Sequence, residues 1–301
     1  MRVVVALGGN ALLRRGEPAD IATQRANVTI AAAAIAEIAG EHELVITHGN
    51  GPQVGMLALR HDPGAPGSAD PLDVLGAESE GMIGYLLDQE LTNRLPGSPV
   101  ATLLTQVLVD RDDPAFGRPE KPIGPLYDRG EAERLAAQRG WTIAAEAGGY
   151  RRVVPSPEPR SIIELATIGL LVDAGVLVIC VGGGGIPVVL GEDGWLRGLE
   201  AVIDKDLAAE LLARGLEADA LLLLTDVEAV QAGWGTPQAH ALAEASVAEL
   251  RRMEFAAGSM APKIEAACRF VDATGGMAAI GALADAASIL RGESGTRVHT
   301  A

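Results

Sequence analysis

Three lysines stand in a chain that otherwise draws its positive charge from twenty-one arginines: Lys121, Lys205 and Lys263. An ammonium is a compact charge with three rotatable donors, whereas a guanidinium is a planar fork, so positions that keep lysine in an arginine-rich chain are candidates for chemistry. Their contexts are "PEKPIGP", "VIDKDLA" and "SMAPKIEAA". Lys205 lies between Asp204 and Asp206, and neighbouring carboxylates keep an ammonium charged and fix its direction. Asp206 also has a plainer reading as a helix N-cap, worth about 1 kcal/mol. Positioned ammoniums, backbone amides and a divalent cation suffice to neutralise a migrating phosphoryl group.

Such a group needs a cradle, and glycine is dense at three points: "LGGNALL" (7–13), "THGNGPQVG" (47–55) and "VGGGGIPVV" (181–189). Each follows a β-branched run, where strands of a parallel sheet give way to loops and ligands settle. Glycine lets backbone N–H groups approach an anion closely, and a following helix adds the positive end of its dipole. Pro52, after Gly51, suits a first helical turn. None of the lysines follows a glycine, so no Walker loop is present. The dinucleotide fingerprint also fails, with Pro187 at its third glycine. Two readings stand: a phosphoryl-transfer enzyme of another design, or a dinucleotide oxidoreductase or nucleotide-binding regulator. His48 is the only histidine in a glycine loop and reads as structural, leaving no placed general base. That absence suits an acceptor that is already an anion, such as a carboxylate.

The elements that must hold these loops are legible in outline. Short runs "RVVVAL", "ELVIT", "VATLLTQVLV" (100–109), "VLVICV" and "ADALLLLT" (218–225) alternate with helical patterns at 21–39, 77–95, 161–174, 206–214, 246–253 and 263–273. This alternation predicts an α/β protein with a parallel sheet. Aromatics make up only 3% of the chain while glycine is abundant, so a core of small aliphatic side chains with close helix-to-sheet packing is expected. Residues 111–160 hold seven of the seventeen prolines and a helical middle, which predicts a small subdomain projecting from the sheet. The uncharged run 174–191 contains six glycines and Pro187 and reads as strand, loop and strand rather than as a membrane span. Gly8, Gly9 and Asn10 interrupt the N-terminal apolar stretch, so no signal peptide is expected. Cys180 and Cys268 form no motif and read as buried reduced thiols of a cytoplasmic protein. A net charge of −16 repels nucleic acid and anionic lipid, so neither is an expected partner, and any phosphate site must be locally positive.

The motifs "VVALGGNALL", "ITHGNGPQVG", "KPIGP", "RRVVPSPEP", "CVGGGGIPVV", "GLEAVIDKDLAAELLA", "LLLLTDVEAV" and "GSMAPKIEAACRFV" resemble, in order and spacing, the carbamate kinases of the amino acid kinase superfamily. The resemblance spans essentially the whole chain. It implies a three-layer αβα sandwich with an open, mostly parallel eight-stranded sheet, a protruding subdomain at about 111–160, and a homodimer. It also implies one amino acid kinase domain over 1–301, with a carbamate-side lobe to about 175 and a nucleotide-side lobe from about 176. The implied reaction is reversible transfer between carbamoyl phosphate with MgADP and carbamate with MgATP, usually run toward ATP in arginine fermentation. Carried onto this chain, Gly8, Gly9, Asn10, Gly49, Asn50 and Gly51 would surround carbamate and the migrating group. Lys205 would neutralise that group, with Asp206 orienting it. Lys263 would meet the nucleotide phosphates, Lys121 would reach in from the subdomain, and Asp226 and Met260 would lie near the nucleotide. Mg²⁺ would travel with the nucleotide, and no protein side chain is assigned as its ligand. Another acyl-phosphate kinase of the same superfamily is the alternative nearest in chemistry.

Overall fold

Successive residues of a strand face opposite ways, and in strand Arg2–Leu7 every residue from Val3 to Leu7 is fully buried. Both faces of such a strand must be covered, which is the condition of a central strand in a parallel sheet. The computed structural model describes residues 1–13, 17–18, 20–60, 70–146, 148–255 and 260–300. Among them an eight-stranded sheet runs in the order Glu244–Ser246, Thr296–His299, Met277–Ala282, Ala220–Thr225, Arg2–Leu7, Glu43–His48, Leu177–Ile179, Val100–Thr102. Its pairings are parallel except that Thr296–His299 opposes Met277–Ala282.

The alternation sorts the core into two layers. Val4, Ala6, Leu221 and Leu223 pack beneath helices Leu165–Asp173, Lys205–Gly215 and Met260–Thr274. Val3, Val5, Leu7, Leu222 and Leu224 pack beneath Ile21–Ala39, Leu72–Arg94 and Ala286–Leu290. The result is the expected αβα sandwich. Ala31 and Ala32, fully buried in this layer, let helix Ile21–Ala39 lie close to the sheet, and Asp20 caps it by accepting from Thr23 N at 2.8 Å.

The run 100–109, read as one strand, is two. Val100–Thr102 forms the edge of the main sheet, whereas Gln106–Val109 enters a four-stranded sheet with Ile186–Leu190 and Pro159–Ile162. Thr105 makes the break: its N–H donates to Glu80 Oε2 at 3.2 Å, and its hydroxyl accepts from Val181 N at 3.0 Å. The segment after residue 120 builds a three-stranded antiparallel sheet, in the order Lys121–Tyr127, Gly149–Val154, Thr142–Glu146, with helix Arg129–Arg139 inserted. Arg139 and Arg152 both lie over the Trp141 ring, at 5.0 and 4.9 Å from its centroid. Among the described residues no helix is long and apolar enough to cross a membrane.

Candidate active site

The carboxyl ends of the adjoining strands Ala220–Thr225, Arg2–Leu7, Glu43–His48 and Leu177–Ile179 bring the glycine turns to one end of the sheet. Gly8 N donates to Leu224 O at 2.9 Å and Gly49 N to Leu7 O at 3.0 Å, tying the first two turns to the strands beside them. A Cβ on Gly49 would stand 2.8 Å from the Gly9 nitrogen and 3.5 Å from Lys205 Cδ. The backbones of the first two turns therefore touch, and the Lys205 stem lies against them. Helices Gly9–Leu12 and Gly51–Arg60 start at these turns, so free N–H groups and dipole ends face the same space.

The third turn works differently. Gly182–Gly184 is a tight 3₁₀ turn leading into strand Ile186–Leu190, with no helix behind it. Its contribution is closeness: a Cβ on Gly183 would fall 2.1 Å from Asn50 Nδ2, and one on Gly184 would fall 2.6 Å from Ile203 O. The turn thus wedges between Asn50 and the segment entering Asp204. Asn50 Nδ2 in turn donates to Ser79 Oγ at 2.8 Å.

Helix Lys205–Gly215 begins in this space. Asp204, not Asp206, is its N-cap, accepting from the N–H groups of Asp206 at 2.9 Å and Leu207 at 3.4 Å. The capping reading of Asp206 is corrected on this point, because its own carboxylate is committed elsewhere. Asp206 Oδ1 accepts from Lys205 Nζ at 2.5 Å, and Oδ2 accepts from Lys263 Nζ at 3.0 Å. Asp204 Oδ2 accepts from Lys121 Nζ at 2.8 Å. Three lysines from distant parts of the chain thus meet two carboxylates two positions apart, leaving a net charge of +1 in a protein whose total is −16.

Burial lowers the pKa of Lys205, and the neighbouring Lys263 charge adds to this, while Asp206 and Asp204 push back. Burial also opposes ionisation of Asp204, but Lys121 overcomes it and holds the carboxyl well below the usual range. The pairs are worth little as stabilisers, since desolvation consumes much of their attraction. They do fix where the positive charge sits.

His48 is fully buried, its Nδ1 lies 3.2 Å from Gly49 O, and burial lowers its pKa to about 4. It is a residue of the core, neutral at pH 7. Asp226 is exposed just beyond strand Ala220–Thr225, where Thr225 Oγ1 donates to it at 3.1 Å, and Met260 is half-buried at the first turn of the helix that carries Lys263. Gly258 and Ser259 of the last motif lie outside the described residues, as does the side chain of Asn10. Among the described residues no group of three or more His, Cys, Asp or Glu side chains could hold a metal. Both Asp206 oxygens already accept from ammoniums, so this carboxylate does not stand open to a divalent cation.

Residues 1–280 match the amino acid kinase family. A carbamate kinase of Rhizobium meliloti (strain 1021) is 56% identical over all of this chain and 94% of its own length. The chain belongs to the carbamate kinases of the amino acid kinase family. A second carbamate kinase, from Escherichia coli (strain K12), is 49% identical, with 98% of each chain covered. Among solved structures, the carbamate kinase of Giardia lamblia bound to citric acid superposes with a TM-score of 0.92 at 43% identity, covering 100% of this chain and 98% of that one. The same enzyme bound to AMP-PNP gives a TM-score of 0.89 at 43% identity, with the same coverage.

In this carbamate kinase, sequence reasoning passed over what several residues around the glycine turns do. Asp204 was visible beside Lys205, but its pairing with Lys121 spans 83 residues and leaves no local trace. Ser79 and Glu80 hold the second and third turns: Glu80 Oε1 accepts from Gly182 N at 2.8 Å. Glu80 had a signal, because it stands in the apolar stripe of its helix with Ile83, Leu87 and Leu91, where a carboxylate must have partners.

Proposed function

We propose that this chain catalyses reversible phosphoryl transfer between carbamoyl phosphate with MgADP and carbamate with MgATP. The observation that carries this reading is the meeting of Lys121, Lys205 and Lys263 on Asp204 and Asp206, beside glycine turns at the carboxyl ends of parallel strands. A migrating phosphoryl group spreads charge over its equatorial oxygens, and catalysis then consists of placing positive charge and donors around it.

In this reading Gly8, Gly9, Asn10, Gly49, Asn50 and Gly51 surround the carbamate and the group in transit. Lys205, oriented by Asp206, neutralises that group. Lys121 meets it from the three-stranded sheet, and Lys263 meets the nucleotide phosphates. Asp226 and Met260 border the nucleotide, whose Mg²⁺ arrives with it as part of the substrate. The AMP-PNP named for the Giardia relative supports a nucleotide site of this kind. Residues to about 175 form the carbamate side and those from about 176 the nucleotide side. The chain works in the cytoplasm as a homodimer, and the dimer reading is favoured by the edge strand Val100–Thr102 of the main sheet, with Leu104 and Tyr85 exposed.

Carbamate is an anion at neutral pH and needs no proton removed, which agrees with the burial of His48. Direct in-line transfer is the route this reading gives, since among the described residues the side chains that meet at the turns are lysines and carboxylates rather than a nucleophile poised to accept phosphate. The test follows ATP formation from MgADP with carbamoyl phosphate and, separately, with acetyl phosphate. Preference for carbamoyl phosphate is expected, and equal or greater turnover of acetyl phosphate would assign the chain to a different acyl-phosphate chemistry. Trapping an acid-labile phosphoprotein during turnover would overturn the direct route.

A further inference from the structure

Helix Gly51–Arg60 and strand Lys121–Tyr127 meet with no side chain between them, at Gly55 and Gly124. A Cβ on Gly55 would lie 2.0 Å from the Gly124 Cα and 2.2 Å from its nitrogen, whereas one on Gly124 would stand an ordinary 3.5 Å from the Gly55 Cα. The strand is therefore seated on the helix backbone at Gly55, the one glycine in the interior of the helix. A small core separate from both faces of the main sheet adjoins this contact. In it Ile123 and Val154 of the three-stranded sheet pack with Val54 and Ala58 of the helix, and with Val202.

The same seat leads to Asp204 by two routes. Val202 N donates to Pro155 O at 3.0 Å, tying the exit of strand Gly149–Val154 to the segment that ends in Asp204. Lys121, the register partner of Val154, reaches Asp204 itself at 2.8 Å. How deeply the strand sits on the helix thus sets where the Lys121 ammonium arrives.

We propose that Gly55 is a positioning residue for phosphoryl transfer, its missing side chain setting the depth of the three-stranded sheet and so the place of Lys121 at Asp204. The proposal rests on reading Lys121 as part of the site. Relieving a 2.0 Å contact to ordinary carbon–carbon distance moves the strand by about 1.5 Å. A misplacement of about 1 Å in a group that meets the transition state costs on the order of a hundredfold.

The experiment measures kcat and KM for carbamoyl phosphate and MgADP in the wild type, Gly55→Ala, Lys121→Ala and the double variant, with melting curves for each. Gly55→Ala is expected to lower kcat by about 30- to 100-fold and to leave KM for MgADP within about twofold. The double variant is expected to be no slower than Lys121→Ala alone, because one effect acts through the other. Losses that multiply, or an equal loss of MgADP affinity, would overturn the assignment. If Gly55→Ala is not recovered folded, Ile123→Ala loosens the same seat without a clash. It must show the same non-additivity with Lys121→Ala, and independent losses again overturn the proposal. Lys121→Ala with wild-type turnover would instead remove the reading of Lys121 on which it rests.

Discussion

Lys121 and Asp204 pair at 2.8 Å across 83 residues of chain, and the same Asp204 caps the helix that begins with Lys205. One carboxylate thus serves a helix end with Oδ1 and a distant lysine with Oδ2. The two duties separate by substitution. Asparagine caps as well as aspartate but carries no charge, so Asp204→Asn is expected to keep the melting temperature within about 2 °C while lowering kcat about tenfold or more. Asp204→Ala loses both, adding about 1 kcal/mol of instability. Thermal unfolding alongside steady-state kinetics checks this, and a wild-type rate in Asp204→Asn would show that Lys121 needs no carboxylate to hold it.

Lys205 is buried against Gly49 while its ammonium rests on Asp206 Oδ1. Removing it does not orphan Asp206, whose other oxygen keeps Lys263. Lys205→Ala is therefore expected to lower kcat by about a hundredfold or more with little change in the urea midpoint. Lys205→Arg is not expected to rescue it, because a planar fork needs more room than the stem has beside the paired glycine backbones. A near wild-type rate for the arginine variant would show that charge without shape is enough.

The glycines fall into two kinds, and the contrast can be measured. Gly183 and Gly140 both have left-handed backbones, with φ of +67° and +69°. A methyl on Gly140 would meet nothing within 4 Å, while one on Gly183 would strike Asn50. Gly140→Ala should cost about 1 kcal/mol of stability at its helix C-cap and leave kinetics intact. Gly183→Ala should displace Asn50 as well, lowering kcat/KM for carbamoyl phosphate by about tenfold or more. Equal kinetics in the two variants would detach the third turn from the site.

What could be read in the chain follows the range of the interactions. Strands such as Arg2–Leu7 and Ala220–Thr225 announce themselves by continuous aliphatic runs, because burial on two faces is a local demand on composition. The lysines stood out because substitution by arginine everywhere else supplied a background. The split of 100–109 was hidden, since its cause is Thr105 bonding to Glu80 and Val181, residues 25 and 76 positions away. Gly55 and Gly124 look like ordinary loop glycines until the three-stranded sheet is docked on the helix.

Two buried groups beneath the third turn make stability depend on pH in opposite senses. Burial raises the pKa of Glu80 to about 8, against the N–H bonds it accepts from Thr105 and Gly182. Its ordinary value is 4.5, so between about 4.5 and 8 the folded protein holds a proton that the unfolded chain has released. Stability on this account is fully present below that window and is lost as pH rises through it. His48 is the reverse: burial lowers it from 6.5 to about 4, so the unfolded chain takes up a proton first and stability is lost as pH falls from about 6.5 to 4. Glu80→Gln cannot titrate, so its melting temperature relative to the wild type should climb by about 5 °C or more from pH 5 to 8.5. His48→Gln should gain relative stability in the other direction, from pH 7 down to 4.5. Melting curves of the three proteins across this range check both signs, and a flat difference for Glu80→Gln would mean that its carboxyl is already ionised at pH 5, despite its burial behind Gly182 and Thr105.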